Sequence, residues 1–157
     1  MGKPLIEVKR VLAVDDEPDV LATLEEEIMN AFPTCIVEKA STYEEANRLL
    51  LSYEYDAVVL DIMGVRGFDL LRTAAGRNFK VAMLTAHALS PEALKESHRL
   101  GARAYIPKDK LGQIVPFIND MLEYDFKTGW ERLLERLESY FAARFPKDWA
   151  EGILKSW

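Results

Sequence analysis

Continuous apolar runs alternate with amphipathic ones along this chain. The first run, "RVLAVDD", is short, apolar and partly β-branched, the pattern of a buried strand. "EPDVLATLEEEIMNAF" follows, with Val20, Leu21, Leu24, Ile28 and Phe32 on one helical stripe and Glu25, Glu26 and Glu27 largely off it. Pro18 suits the first turn of that helix, where a missing N–H costs nothing. "TCIVEKA" predicts a strand and "TYEEANRLLLSY" a helix capped by Ser41 or Thr42. "DAVVLD" predicts a buried strand, "GFDLLRTAA" a short helix closed at Gly76, and "KVAMLTA" another strand. "SPEALKESHRLG" predicts a helix with Ser90 as cap, Pro91 at its first position and Gly101 as its stop. "RAYIP" predicts a short strand and "LGQIVPFINDMLEY" a further helix. Short continuous apolar strands alternating with helices mean a parallel sheet covered on both faces, an open doubly wound α/β fold.

Composition narrows the function classes. The 157 residues are 49% hydrophobic, enough for one domain with a real core. The opening "MGKPLIEVKR" is too polar for a secretory leader, and no apolar run approaches the roughly 20 residues of a membrane span. A lone cysteine, Cys35, sits in an apolar segment and reads as a small core filler. The net charge of −6 argues against nucleic acid as the main partner. A cytoplasmic location is the expectation.

The chemistry lies at the strand tips. "VLAV" ends in Asp15 and Asp16, "AVVL" in Asp61, "VAML" in Thr85, and "AYI" reaches Lys108 after Pro107. In a parallel sheet these ends share one edge, where ligands of open α/β sheets bind. Each residue alone has a plain explanation. A paired Asp before a helix favours the helix dipole, a Thr caps, and a loop Lys is solvated. Their recurrence at successive strand ends is what points to a site. Carboxylates crowded together raise each other's pKa unless a cation neutralises them. A hard divalent ion such as Mg²⁺ suits carboxylate, water and phosphate oxygens. A carboxylate can also attack phosphorus, with the metal and an ammonium meeting the charge of the transferring group.

With "VLAVDDEP", "AVVLDIM", "MLTAH" and "GARAYIPK" in this order, residues from about 9 to 124 resemble the receiver domain of two-component response regulators. The resemblance implies a five-stranded, flavodoxin-like sheet of order 2-1-3-4-5. It implies that Asp61 accepts a phosphoryl group from a sensor histidine kinase or a phosphotransfer protein. Asp16 would bind Mg²⁺ directly (Mn²⁺ as a substitute), Asp15 mainly through water, and the Met63 backbone carbonyl would add a ligand. Thr85 would bond a phosphate oxygen and Lys108 would pair with the phosphoryl group. Tyr105 occupies the switch position, where the ring moves between exposed and buried as Thr85 shifts. Met63 and His87 hold the two positions that tune phosphoryl lifetime.

The chain departs from the family pattern in two places. The loop "DIMGVRG" has no Pro and brings Gly67 only six residues past Asp61, so it is about two residues short. Asp109 replaces the Pro that usually follows the lysine. A trans Lys108–Asp109 bond is therefore expected, because cis before a non-proline residue costs roughly 2.5–4 kcal/mol.

Residues 126–157 extend beyond the receiver at 1–125. Trp130, Leu133, Leu134, Leu137, Phe141 and Phe145 recur at helical spacing, Pro146 breaks the run, and Trp149, Ile153, Leu154 and Trp157 follow. The expectation is a pair of helices folded back on the receiver; the alternative is an exposed aromatic face for homodimerisation or partner docking. The whole reads as a stand-alone, non-enzymatic response regulator that signals to a downstream protein. Two alternatives stay open. One is a degenerate receiver acting as a scaffold without phosphorylation. The other is a phosphatase of the haloacid dehalogenase type, which needs a second acid where Met63 stands.

Overall fold

A computed structural model describes residues 7–87 and 89–154. In chain order the elements are β1 (Arg10–Val14), α1 (Pro18–Ala31), β2 (Ile36–Ala40), α2 (Tyr43–Ser52), β3 (Ala57–Asp61) and α3 (Gly67–Gly76). They continue as β4 (Lys80–Thr85), α4 (Pro91–Arg99), β5 (Ala104–Pro107), a 3₁₀ turn (Lys108–Gln113), α5 (Ile114–Glu123), α6 (Phe126–Arg144) and α7 (Glu151–Leu154). The five strands are all parallel, in the order β2-β1-β3-β4-β5. This is the open doubly wound sheet expected from the alternating pattern, in the flavodoxin-like order that the resemblance implies. Helices α1 and α5 pack together, as do α2 and α3, and α4 lies against β5.

The register aligns the site. Val14 pairs with Leu60, Asp61 with Leu84, and Thr85 with Pro107, so the carboxyl ends of β1, β3, β4 and β5 lie side by side. Every residue of β3 is buried, which leaves Asp61 little freedom at its tip. Edge strand β2 is mostly open to solvent, unlike the other four.

Local signals act as their chemistry dictates, with a few displacements. Thr42 caps α2 by accepting from Glu45 N, and Ser90 caps α4 by accepting from Ala93 N. Gly101 takes the left-handed conformation after α4, at φ 96°, and Ala102 N–H returns to Ser97 O. α3 ends at Gly76, and Asn78 rather than the glycine carries the left-handed turn at φ 64° while Phe79 N–H returns to Ala74 O. Asn tolerates that region because its short polar side chain costs little there. The last receiver helix begins at Ile114 rather than Leu111, because residues 108–113 form the 3₁₀ turn. All described peptide bonds are trans, including Lys108–Asp109.

Helix α6 runs against α5 and β5, and α7 against α4. Its aromatic and leucine side chains face the receiver: Trp130, Leu133, Leu134, Leu137 and Phe141 are buried, with Phe145, Trp149 and Ile153 beyond them. Each such burial stabilises by about 1.5–3 kcal/mol. Polar contacts fix the first half. Trp130 Nε1 donates to Ala102 O at 2.8 Å, and buried Asp120 pairs with Arg132 at 3.2 Å and Arg136 at 2.7 Å. The chain leaves α6 at Arg144, ahead of Pro146, whose ring cannot continue a helix. Trp157 and the Leu154 side chain lie outside what is described. Edge strand β5 is consequently buried along its whole length, which removes an exposed pairing edge.

Candidate functional site

Asp15, Asp16 and Asp61 converge at the carboxyl edge of the sheet. Each offers a carboxylate oxygen, and these atoms lie within 4.8 Å of one another. Asp15 and Asp61 are buried and Asp16 is exposed, so the cluster has two fixed walls and one open side. Asp15 Oδ1 accepts from Glu17 N at 2.9 Å, which orients its carboxylate within the turn leading into α1.

Lys108 reaches into this cluster from the end of β5. Its Nζ lies 2.9 Å from Asp15 Oδ2, 2.8 Å from Glu17 Oε1 and 3.4 Å from Asp61 Oδ1. Burial works against the ammonium, but its hydrogen bond to Glu17 and the charges of Asp15 and Asp61 outweigh it and hold its pKa above the ordinary lysine value. Asp61 is pushed up to about 6, by burial first and by the neighbouring Asp15 charge second, with Lys108 opposing both. Burial also raises Asp15, against the pull of Lys108.

One ammonium does not satisfy three carboxylates. Asp15 Oδ2 is buried and accepts no well-aligned hydrogen bond, although Lys108 pairs with it through charge. Two glycines keep the loop after β3 close to the acids. Gly64 has φ 88°, and a Cβ there would stand 2.5 Å from Asp16 Oδ2. At Gly67 a Cβ would fall 2.1 Å from the Asp61 carbonyl oxygen. Arg66 between them takes the left-handed region, at φ 54° and ψ 54°, before α3 begins. Hard oxygen donors, an under-satisfied buried carboxylate and a loop without side-chain bulk fit a divalent cation such as Mg²⁺.

The remaining residues are spread around this centre. Thr85 is buried at the tip of β4, one strand over from Asp61. Met63 is exposed on the loop after β3. His87 is exposed past β4, near enough to Glu17 to help lower its pKa, an effect dominated by Lys108. Tyr105 is fully buried, and its Oη accepts from Ser90 N at 3.1 Å.

Three contributors escaped the sequence reading. Glu17 shares Lys108; its only signal was its place directly after the acidic pair in "VDDEP". Gly64, in "DIMGVRG", makes a close approach to Asp16. Tyr140, on α6, donates to Asp109 Oδ2 at 2.7 Å and so explains what that unusual residue does.

The sequence matches the family model of the response regulator receiver domain over residues 11–118. Solved structures share the fold. A two-component response regulator of the LuxR family from Aurantimonas sp. SI85-9A1 is 24% identical, covers 74% of this chain and 86% of its own, and gives a TM-score of 0.66. A response regulator from Thermotoga maritima is 21% identical, with 75% and 100% covered and a TM-score of 0.66. A CheY-like receiver domain protein from Methanospirillum hungatei JF-1 is 26% identical, with 85% and 96% covered and a TM-score of 0.58. Comparison with curated proteins gives no match.

Proposed function

The chain belongs to the response regulator receiver domain family, and on that premise we propose that Asp61 accepts a phosphoryl group from a sensor histidine kinase or a phosphotransfer protein. The observation that carries this is the cluster of Asp15, Asp16 and Asp61 around one buried ammonium. An Asp61 carboxylate oxygen attacks phosphorus, an O–P bond forms, and the P–N bond of the donor phosphohistidine breaks with its electron pair returning to the imidazole. Asp61 must be ionised to attack, and Lys108 favours that form. Asp15, Asp16, Asp61 and the Met63 carbonyl would hold Mg²⁺, which would supply positive charge to the transferring phosphoryl group.

In this reading Thr85, buried at the tip of the neighbouring strand, bonds a phosphoryl oxygen, and Tyr105 responds to its movement. Met63 has no group to orient an attacking water, so the aspartyl phosphate decays slowly, and Met63→Asn speeds that decay. The signal then passes to a protein, since a net charge of −6 argues against direct DNA binding. Among the described residues no helix is long and apolar enough to cross a membrane. The phospho-accepting unit is residues 1–125, and 126–157 are an appended segment whose described part carries α6 and α7, with Asp125 capping α6.

Incubation with acetyl phosphate and Mg²⁺, followed by intact mass measurement, tests the reading. A phosphate-sized gain is expected in wild type and none in Asp61→Ala. No gain from acetyl phosphate or from any histidine kinase tried would favour a scaffold that works without phosphorylation.

A further inference from the structure

The lysine of the acidic site stands at the start of a lightly held turn. Lys108 opens the 3₁₀ turn Lys108–Gln113, and no residue of that turn is buried. No side chain caps it, and Leu111 rests only half-buried on the core. A Cβ at Gly112 would meet nothing within 4 Å, so packing does not fix the backbone there. Hydrogen-bond geometry is poorer in a 3₁₀ turn than in an α-helix, so the turn depends on outside contacts for its shape. One side chain of α6 supplies such contacts. Tyr140 Oη donates to Asp109 Oδ2 at 2.7 Å, and Lys110 Nζ lies 5.6 Å from the Tyr140 ring centroid. A single ring thus engages the two residues that follow Lys108.

We propose that Tyr140 is a positioning residue for phosphoryl transfer: through Asp109 it fixes the turn that aims Lys108 at Asp61, which makes α6 part of the phospho-accepting machinery. This rests on the reading of Asp61 as phospho-acceptor. Lys108 Nζ serves three acids at once, at 2.9 Å from Asp15 Oδ2, 2.8 Å from Glu17 Oε1 and 3.4 Å from Asp61 Oδ1. The longest of these is the contact with the acceptor, so a small shift of the turn costs that contact first. The bond to Tyr140 also occupies a carboxylate that follows Lys108 directly in the chain and would otherwise compete for its ammonium.

Tyr140 can hold the turn because it is itself anchored. The Arg144 guanidinium stands 3.6 Å from its ring centroid, and the Phe141 ring meets it edge-on at 5.9 Å. Phe141 is fully buried, which fixes α6 at the neighbouring position. Further back, Trp130 Nε1 donates to Ala102 O and Asp120 pairs with Arg132 and Arg136, so the helix is tied to the receiver along its length. The acceptor of the Tyr140 hydroxyl is a carboxylate, and charge-assisted hydrogen bonds are roughly twice as strong as neutral ones.

Tyr140→Phe in the full chain keeps the ring and loses only the hydroxyl. Two measurements test its role. One is the initial rate of phosphate-sized mass gain from acetyl phosphate and Mg²⁺. The other is the side-chain mobility of Lys108, by NMR relaxation in the metal-free, unphosphorylated protein. Tyr140→Phe slows the mass gain on the order of tenfold, since a misplacement of about 1 Å can cost roughly 100-fold, and it raises Lys108 mobility. Asp109→Ala does the same, and adding Tyr140→Phe to it costs nothing further. Asp109→Asn keeps an acceptor for the hydroxyl and retains most of the rate. A wild-type rate or unchanged Lys108 mobility in Tyr140→Phe overturns the role of Tyr140 and leaves the phospho-acceptor reading intact. Additive losses from the two substitutions, or an Asp109→Asn as slow as Asp109→Ala, overturn it as well. No mass gain in wild type overturns the phospho-acceptor reading and any part of Tyr140 in the transfer with it.

Discussion

Lys108 Nζ lies 2.9 Å from Asp15 Oδ2, joining the end of β5 to the end of β1 across the site. The Asp15 side chain has no exposure, so this ammonium is part of what allows two buried carboxylates to share one edge of the sheet. Removing one partner of a buried pair leaves the other charge stranded. Lys108→Ala is therefore expected to destabilise the metal-free protein by roughly 3–5 kcal/mol in urea unfolding at neutral pH. Saturating Mg²⁺ recovers part of that loss. Equal stability of the variant and wild type would contradict the pairing.

Asp61 gives a pH-dependent counterpart. Its folded pKa of about 6 stands above the ordinary 3.8. Between those values the folded state binds more protons than the unfolded one, so stability from this group is full below pH 3.8 and lost as pH rises through 6. Asp61→Asn should thus stabilise the metal-free protein at pH 7.5 by roughly 1–3 kcal/mol and have little effect near pH 4. Mg²⁺ should raise the melting temperature of wild type at pH 7.5 far more than that of the variant. Thermal melts at the two pH values, with and without Mg²⁺, check both statements.

Much of this was legible in the sequence, for physical reasons. A buried parallel strand writes itself as a continuous apolar run, and its tip as the first polar residue after it, so Asp15, Asp61 and Thr85 could be placed at one edge without coordinates. Loop geometry was less legible. Gly76 marks the end of α3, but the backbone needed its left-handed residue at Asn78. Nothing in "DIMGVRG" said that Gly64 faces Asp16 or that Arg66 takes a positive φ. Asp109 stood out as an unusual residue, yet its partner Tyr140 lies 31 positions away, a separation that sequence patterns do not encode.

The loop glycine separates binding from folding. Gly64→Ala places a Cβ 2.5 Å from Asp16 Oδ2 at a backbone φ of 88°. The left-handed conformation costs a non-glycine residue roughly 1–2 kcal/mol. Displacement of the Asp16 carboxylate should weaken Mg²⁺ binding on the order of tenfold or more, beyond what that modest strain accounts for. Calorimetric titration with Mg²⁺ alongside urea unfolding distinguishes the two; unchanged metal affinity would place Asp16 outside the binding set.

His98 reports on the docking of α6. Its ring lies 5.1 Å from those of Phe126 and Trp130, and burial pushes its pKa below the ordinary 6.5. The unfolded chain takes up this proton first as pH falls. The stability contributed is full above pH 6.5 and declines as pH drops through the folded value. His98→Phe should flatten the stability profile below pH 6.5, in urea unfolding followed by tryptophan fluorescence. An unchanged slope would show that His98 keeps its charge equally well in both states.

The most direct test of the central claim is to locate the phosphoryl group. Borohydride reduces an aspartyl phosphate to homoserine, which marks the acceptor covalently. After acetyl phosphate and Mg²⁺, tryptic fragmentation should place homoserine at position 61, within the peptide from Leu49 to Arg66. Omitting Mg²⁺ should remove the mark. Homoserine at position 15 or 16 instead, or none anywhere in a chain that has gained a phosphate-sized mass, would contradict the assignment of Asp61.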